Sequence, residues 1–189
     1  MINELVPDER SGHLESPYRA EDVALMPGVP AALRELSEHG FLLIVVSNQP
    51  AAAKGTASRD ALRAVHERVV ELLEAQGASI DGSRYCFHHP EGVVPDLTET
   101  CDCRKPAPGL ILAAAASLNV DLAASWAVGD ADRDVIAGRT AGCRTVLVMN
   151  PDSRRRRGGR EAVDAIVRDL PEASAYIVHA STQAEHGAG

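Results

Sequence analysis

No long apolar run occurs in this chain: runs such as Phe41 to Val46 are far short of the roughly 20 residues that a membrane-spanning helix needs. Nor does the sequence open on a basic, then apolar, leader, so cytoplasmic residence is expected. An excess of positive charge is missing too. Lys plus Arg number 19 against 27 Asp plus Glu, a formal net charge of -8, which argues against a protein that coats nucleic acid and removes any general attraction to anionic membranes. An anionic ligand must then be met by a local basic patch. No internal repeat is present, so solenoid architectures are set aside. Cysteine is scarce, and three of the four residues crowd into Cys86 and Cys101-Asp-Cys103. Two Cys one residue apart, near the His88-His89 pair, suit metal ligands in a reducing compartment better than a disulfide framework. Cys143, in Ala-Gly-Cys-Arg-Thr, reads as a small buried residue. With 45% hydrophobic residues in 189, the chain suits one domain with its own core, expected over residues 1–180, followed by a small, polar, disordered tail from Ser181 to Gly189.

Short β-branched runs alternate with helical patterns. Phe41 to Ser47 reads as a strand buried on both faces. Before it, Val29 to His39 repeats Val29, Leu33 and Leu36 at helical spacing and stops at Gly40. Ser58 caps a longer helix, Arg59 to Gln76, with Leu62, Val65, Val69, Leu72 and Leu73 as its apolar stripe. Then follow a helix from Pro108 to Leu118, a strand from Ser125 to Val128, a helix from Asp132 to Ala141 and a strand from Thr145 to Met149. The pattern predicts a last helix from Glu161 to Leu170 and an edge strand from Ala175 to Val178. This alternation implies a doubly wound α/β domain with a parallel sheet. The segment from Gly12 to Asp22 carries no motif and is expected near the entrance to the site.

In such a sheet, ligands bind beyond the carboxyl ends of the strands. Ser47-Asn48-Gln49 closes the first strand with a hydroxyl and two amides, although the same residues also make ordinary turns. Gly129-Asp130-Ala131-Asp132-Arg133-Asp134 closes the Trp126 strand; Asp130 at the tip is the magnesium candidate, whereas Asp132 and Asp134 also suit helix capping. Cys86, Cys101 and Cys103 with either His88 or His89 supply the two close ligand pairs of a tetrahedral structural zinc. Arg104-Lys105-Pro106 follows directly, giving a lysine held by a metal-clamped loop.

These motifs resemble three of the four that characterise the haloacid dehalogenase (HAD) superfamily. Phe41-Leu-Leu-Ile-Val-Val-Ser-Asn-Gln, Tyr85-Cys-Phe-His-His-Pro-Glu-Gly, Cys101-Asp-Cys-Arg-Lys-Pro and Ser125-Trp-Ala-Val-Gly-Asp look like subfamily IIIA, the zinc-containing heptose-bisphosphate phosphatases and their histidinol-phosphatase relatives. The resemblance runs from about Met26 to Val148. It implies a HAD-like, Rossmannoid fold and a phosphomonoesterase acting on a small phosphorylated sugar, most closely the 7-phosphate of heptose 1,7-bisphosphate, with histidinol phosphate as the alternative substrate. It further implies zinc on Cys86, His88, Cys101 and Cys103, leaving His89 out. Ser47 and Lys105 would stabilise the transferring phosphoryl group, Asn48, Gln49 and Arg104 would bind substrate, Asp130 would ligate magnesium, and Asp134 would support the others. Ala131 departs from the family, whose sugar-phosphate enzymes often carry a lysine there.

The superfamily's Asp-x-Asp-Gly, which supplies the attacking aspartate and the general acid and base, has no match in this sequence. The family expectation is therefore a sheet without its first strand and a chain inactive as it stands. The opening Met1-Ile2-Asn3 looks like the continuation of that motif, Asp-Gly-Thr-Ile-Asn, so a misassigned start is expected, with natural truncation as its rival. A reading from another class is a zinc-stabilised binding or regulatory protein that keeps the phosphate ligands without turnover. A zinc-dependent nucleic-acid binder, prompted by Arg154 to Arg157, is disfavoured, because the chain is acidic and the run reads as a solvated, Gly-bounded loop.

Overall fold

A computed structural model describes residues 1–158 and 162–187. The chain begins with a small antiparallel hairpin, β1 (Val6–Asp8) and β2 (His13–Glu15), in which Asp8 faces His13. Its turn is built locally: Asp8 Oδ1 and Oδ2 accept from the backbone N–H groups of Arg10 (3.3 Å) and Ser11 (3.2 Å), an arrangement in which aspartate substitutes for a backbone turn.

The remaining elements follow in the order α1 (Val29–Glu38), β3 (Ile44–Asn48), α2 (Arg59–Glu74), β4 (Gly82–Cys86), α3 (Gly109–Leu118), β5 (Trp126–Gly129), α4 (Asp132–Ala141), β6 (Arg144–Val148), β7 (Ala165–Val167) and α5 (Leu170–Gly187). Ser58 caps α2 as expected, its Oγ accepting from Ala61 N at 3.0 Å. Along that helix Leu62, Val65, Val69 and Leu73 are buried, one stripe at three- and four-residue spacing. Val65, Val69 and Leu73 join Val29, Leu33 and Leu36 of α1, Val146 and Val148 of β6, Val167 of β7 and Ile177 of α5 in the main core. α1 packs on α5, α4 on β5 and β6, and α3 on β4.

Strand pairing is parallel, as the alternation predicted, in two pieces: β3 with β4, and β5 with β6 and then β7. Between the facing edges of β3 and β5 lies a cleft of about 550 Å³, lined by Ile44, Val46, Trp126, Val128, Met1 and Ile2 among others. Among the described residues no strand pairs with either of these facing edges. In a parallel strand the two polar groups of one residue point to the same side, and alternate residues point oppositely. Leu43 O and Gln49 N bond toward the β4 side, with Asp81 N at 2.8 Å and Cys86 O at 2.7 Å. Ile44 and Val46 therefore turn their backbone groups into the cleft.

Three expectations for the C-terminal region are corrected. The segment expected as a helix from Glu161 to Leu170 contains β7 instead, because Val146, Leu147 and Val148 of β6 offer Ala165, Ile166 and Val167 a parallel partner; Glu161 itself lies outside the described residues. The edge strand expected at Ala175–Val178 falls inside α5, where Ala173, Ser174 and Ile177 bury one helical face, and Ser174 Oγ donates to Ala32 O at 3.1 Å. That helix also continues through Ser181 to Gly187, where a disordered tail was expected, while residues 188–189 lie outside the described residues. The first strand starts at Ile44 rather than Phe41, since Leu43 N is taken by the Asp81 side chain at 2.6 Å and Leu42 is exposed. Among the described residues no helix is long and apolar enough to cross a membrane.

Candidate functional site

The carboxyl ends of β3 and β5 and the loop before α3 converge on one edge of the sheet. Asn48, the last residue of β3, clamps that loop in both directions: Nδ2 donates to Lys105 O at 2.9 Å, and Oδ1 accepts from Lys105 N at 3.0 Å. A side-chain amide carries a donor and an acceptor side by side, so Asn at this position pairs with both backbone groups of one residue. Thus clamped, Lys105 sends its Nζ to Val46 O (2.8 Å) and to Asp134 Oδ1 (2.7 Å), with 12% of its side chain exposed. Ser47 stands beside it, its Oγ accepting weakly from Gln49 Nε2 at 3.4 Å.

Asp134 is also held by the backbone, its Oδ2 accepting from Ala131 N at 3.1 Å at the start of α4. This position requires Gly129: a Cβ there would overlap Asp134 Cβ. Asp130, at the tip of β5, is 8% exposed. Ser153 Oγ donates to Asp130 Oδ2, and Arg157 Nη1 donates to Asp130 O at 3.2 Å. Burial by itself would raise the Asp130 carboxyl, but the Met1 ammonium, the Ser153 hydroxyl and the Arg156 and Arg133 guanidinium groups outweigh it and hold the group below its ordinary value. On the same turn Asp132 Oδ1 is buried with no partner among the described residues. An ionised strand-tip carboxylate with an orphan carboxylate oxygen nearby is the hard oxygen donor set that suits magnesium.

The cysteines gather where the sequence placed them. One donor atom each from Cys86, His88, Cys101 and Cys103 lies within 4.8 Å of every other. The Sγ atoms of Cys86 and Cys101 are 3.6 Å apart and those of Cys101 and Cys103 3.2 Å apart; His88 Nδ1 is 3.5 Å from Cys103 Sγ and 3.9 Å from Cys86 Sγ. Tetrahedral zinc with Zn–S near 2.3 Å and Zn–N near 2.0 Å sets such edges at about 3.5–3.8 Å, so the four atoms fit the ion. His89 is not in the group; its Nδ1 accepts from Glu91 N at 3.1 Å. Between the two candidate histidines, the fold brings His88 to the cysteines. Arg104 Nη1 donates to His88 O at 3.1 Å, tying the cluster to the residue before Lys105.

Sequence reading missed the role of the segment after β6. Asn150 and Ser153 are buried, and a short 3-10 turn, Pro151–Arg156, is fixed against Asp130 through Ser153. Arg157, read as solvated, donates to the carbonyls of Asp130, Val148 (3.4 Å) and Asn150 (2.9 Å). The Gly12–Asp22 segment meets the same turn: Arg155 Nη2 donates to Leu14 O at 3.1 Å and to Glu15 Oε1, and Arg156 Nη2 donates to Glu15 Oε2 at 3.2 Å. Asn-Pro after a strand signals a turn, but nothing in the sequence signals a contact spanning about 140 positions.

A HAD-hydrolase-like family model matches residues 102–173. The chain is 36% identical over 159 residues to D-glycero-beta-D-manno-heptose-1,7-bisphosphate 7-phosphatase of Yersinia pestis, covering 82% of this chain and 85% of that one. With the enzyme of the same name from Escherichia coli K12 it shares 34% identity over 82% and 83% of the two chains. Among solved structures, it resembles D,D-heptose 1,7-bisphosphate phosphatase from B. bronchiseptica complexed with magnesium and phosphate, with a TM-score of 0.75, 28% identity, and coverage of 86% of this chain and 88% of that one. A HAD-like phosphatase from Mesorhizobium loti matches with a TM-score of 0.76 and 30% identity over 94% and 81%.

Proposed function

The chain belongs to the HAD-like family of D-glycero-beta-D-manno-heptose-1,7-bisphosphate 7-phosphatases, and from that premise we propose that it binds heptose 1,7-bisphosphate and serves removal of the 7-phosphate. The observation that carries this reading is the Asn48–Lys105 clamp, which fixes Lys105 against the end of β3, with its Nζ between Val46 O and Asp134. In this reading Lys105 and the Ser47 hydroxyl face the phosphoryl oxygens, where fixed charge and a fixed donor stabilise charge that develops during transfer. Gln49 and Arg104 flank them and orient the substrate. Asp134 holds Lys105 in place.

Two metals fit. Cys86, His88, Cys101 and Cys103 would hold a structural zinc, whose part is to stiffen the loop that delivers Arg104 and Lys105. Asp130 would hold magnesium, which when bound neutralises phosphoryl charge. The attacking and proton-transferring carboxylates of the family's Asp-x-Asp-Gly have no counterpart in these 189 residues. The polypeptide by itself is thus expected to bind substrate and not to turn it over, with activity returning when that motif is supplied ahead of Met1.

Phosphate release tests this. Heptose 1,7-bisphosphate, histidinol phosphate and fructose 1,6-bisphosphate are each offered with magnesium to the 189-residue chain and to a version extended by an apolar strand ending in Asp-x-Asp-Gly. Hydrolysis of the heptose bisphosphate by the extended form alone supports the proposal. A second reading, a zinc-stabilised binding or regulatory protein, is favoured by the Lys105–Asp134 pair, which is complete without any catalytic carboxylate. Binding without release in both forms would establish it in place of the first.

A further inference from the structure

The Arg154–Arg157 run and the hairpin around Glu15 are the two segments that the phosphoryl site leaves unexplained, and the fold brings them together. We propose that Arg154 and Arg155, with His13 across from them, form a second anion site that takes the phosphate at the far end of a sugar bisphosphate. The proposal rests on the substrate reading above and adds the residues that distinguish a bisphosphate from a monophosphate.

Four observations support it. First, His13, Leu14, Pro151, Asp152, Arg154 and Arg155 line an open pocket of about 540 Å³, a size suited to the end of a small polar ligand. Second, charge is locally concentrated: Arg154, Arg155, Arg156 and Arg157 are consecutive in a chain whose net charge is -8, and the ion pairs of the run are with Glu15. One carboxylate, Glu15, is shared by Arg155 and Arg156, and Arg154 is exposed with no ion pair among the described residues. Third, the turn is built rather than loose. Its base is fixed by Ser153 on Asp130 and by three carbonyls on Arg157, so the guanidinium groups above it start from a held backbone. Fourth, the reach is right. Arg154 and Arg155 follow the residue that touches Asp130 by one and two Cα steps of about 3.8 Å. Standard bond lengths separate the phosphates of a seven-carbon bisphosphate by on the order of 10 Å, a span that arginine side chains from those positions cover. Arg157 Nη1 donates to Asp130 O at 3.2 Å and Ser153 Oγ to Asp130 Oδ2, so the turn and the phosphoryl site are joined directly.

Calorimetric titration of the 189-residue chain with heptose 1,7-bisphosphate and with heptose 7-phosphate, both with magnesium, is the test. Wild type is expected to prefer the bisphosphate. An Arg154→Ala/Arg155→Ala variant should lose about tenfold or more for the bisphosphate and less than twofold for the monophosphate, since a charge-assisted contact is removed only from the second phosphate. Glu15→Gln keeps both arginines and removes the competing carboxylate, so it should tighten the bisphosphate several-fold; a hairpin that merely docks the turn would give no gain or a loss. Equal loss for both ligands in the double variant, or no gain with Glu15→Gln, overturns the proposal. Wild type binding both ligands equally overturns it while leaving the substrate reading intact. Wild type binding neither defeats both.

Discussion

At the scale of single residues, the site depends on groups held by more than one bond. Lys105 is fixed through its own peptide by Asn48 and through Nζ by Val46 O and Asp134, so its charge is immobile before any ligand arrives. Preorganised charge is what separates it from an ordinary surface lysine. Lys105→Ala is expected to weaken inorganic phosphate binding about tenfold or more, and Asn48→Ala, which leaves the lysine but frees its backbone, to weaken it by a smaller factor; titration of both variants compares them directly. Gly129 is constrained by Asp134 rather than by its own torsion angles, because any side chain would occupy the volume of Asp134 Cβ. Gly129→Ala should destabilise the fold by about 3 kcal/mol and lower phosphate affinity as well, since Asp134 must move away from Lys105. Urea unfolding measures the first effect and titration the second.

Elements respond to their ends and edges. The Ser58 cap satisfies one otherwise open N–H of α2, so Ser58→Ala should cost about 1 kcal/mol in chemical unfolding. Between α2 and β4, His66 lies against Tyr85, with Tyr85 OH 2.5 Å from Nδ1 and Ser83 Oγ 3.3 Å from Nε2. Burial lowers the His66 pKa below its ordinary value, with Glu67 opposing, and pushes the Tyr85 hydroxyl up to about 12. A histidine whose folded pKa is depressed favours the folded state above its unfolded pKa, near 6.5. That contribution is lost as pH falls from about 6.5 toward the lower folded value. The difference in unfolding midpoint between wild type and His66→Gln should therefore shrink between pH 7.5 and 5.5. Along the cleft, Ile44 and Val46 direct their amides away from β4, and their hydrogen exchange should outpace that of Val45 and Ser47, as mass spectrometry or NMR would resolve.

For the molecule as a whole, the cysteine cluster joins β4 to the loop before α3, and that loop is in turn fastened to β3 by Asn48. Removing zinc with a chelator is expected to lower the thermal midpoint and weaken phosphate binding together, because the same loop carries Arg104 and Lys105. Elemental analysis should find one zinc per chain before treatment. Much of this was legible in the sequence where the determinant is local: α4 from Asp132 to Ala141 appears with the expected bounds, the Ser58 cap is where a cap was read, and the three clustered cysteines converge. Short loops and single turns leave few alternatives, so residue order nearly fixes geometry there. The C-terminal region was misread for the opposite reason. Runs of three or four apolar residues suit helix and strand alike, and the choice fell to partners, β6 for Ala165–Val167 and α1 for Ala173, Ser174 and Ile177. The choice of His88 over His89 rested on resemblance until the fold brought one ring to the sulfurs and gave the other a backbone N–H. The pairing of Glu15 with Arg155 and Arg156 was beyond reach altogether. Sequence by itself determined the alternation of elements, the metal-ligand types and the polar residues that close the strands, because these follow from local spacing and side-chain chemistry. Tertiary structure alone decided which distant charges meet and which ambiguous runs become strand or helix, because those outcomes depend on partners far away along the chain.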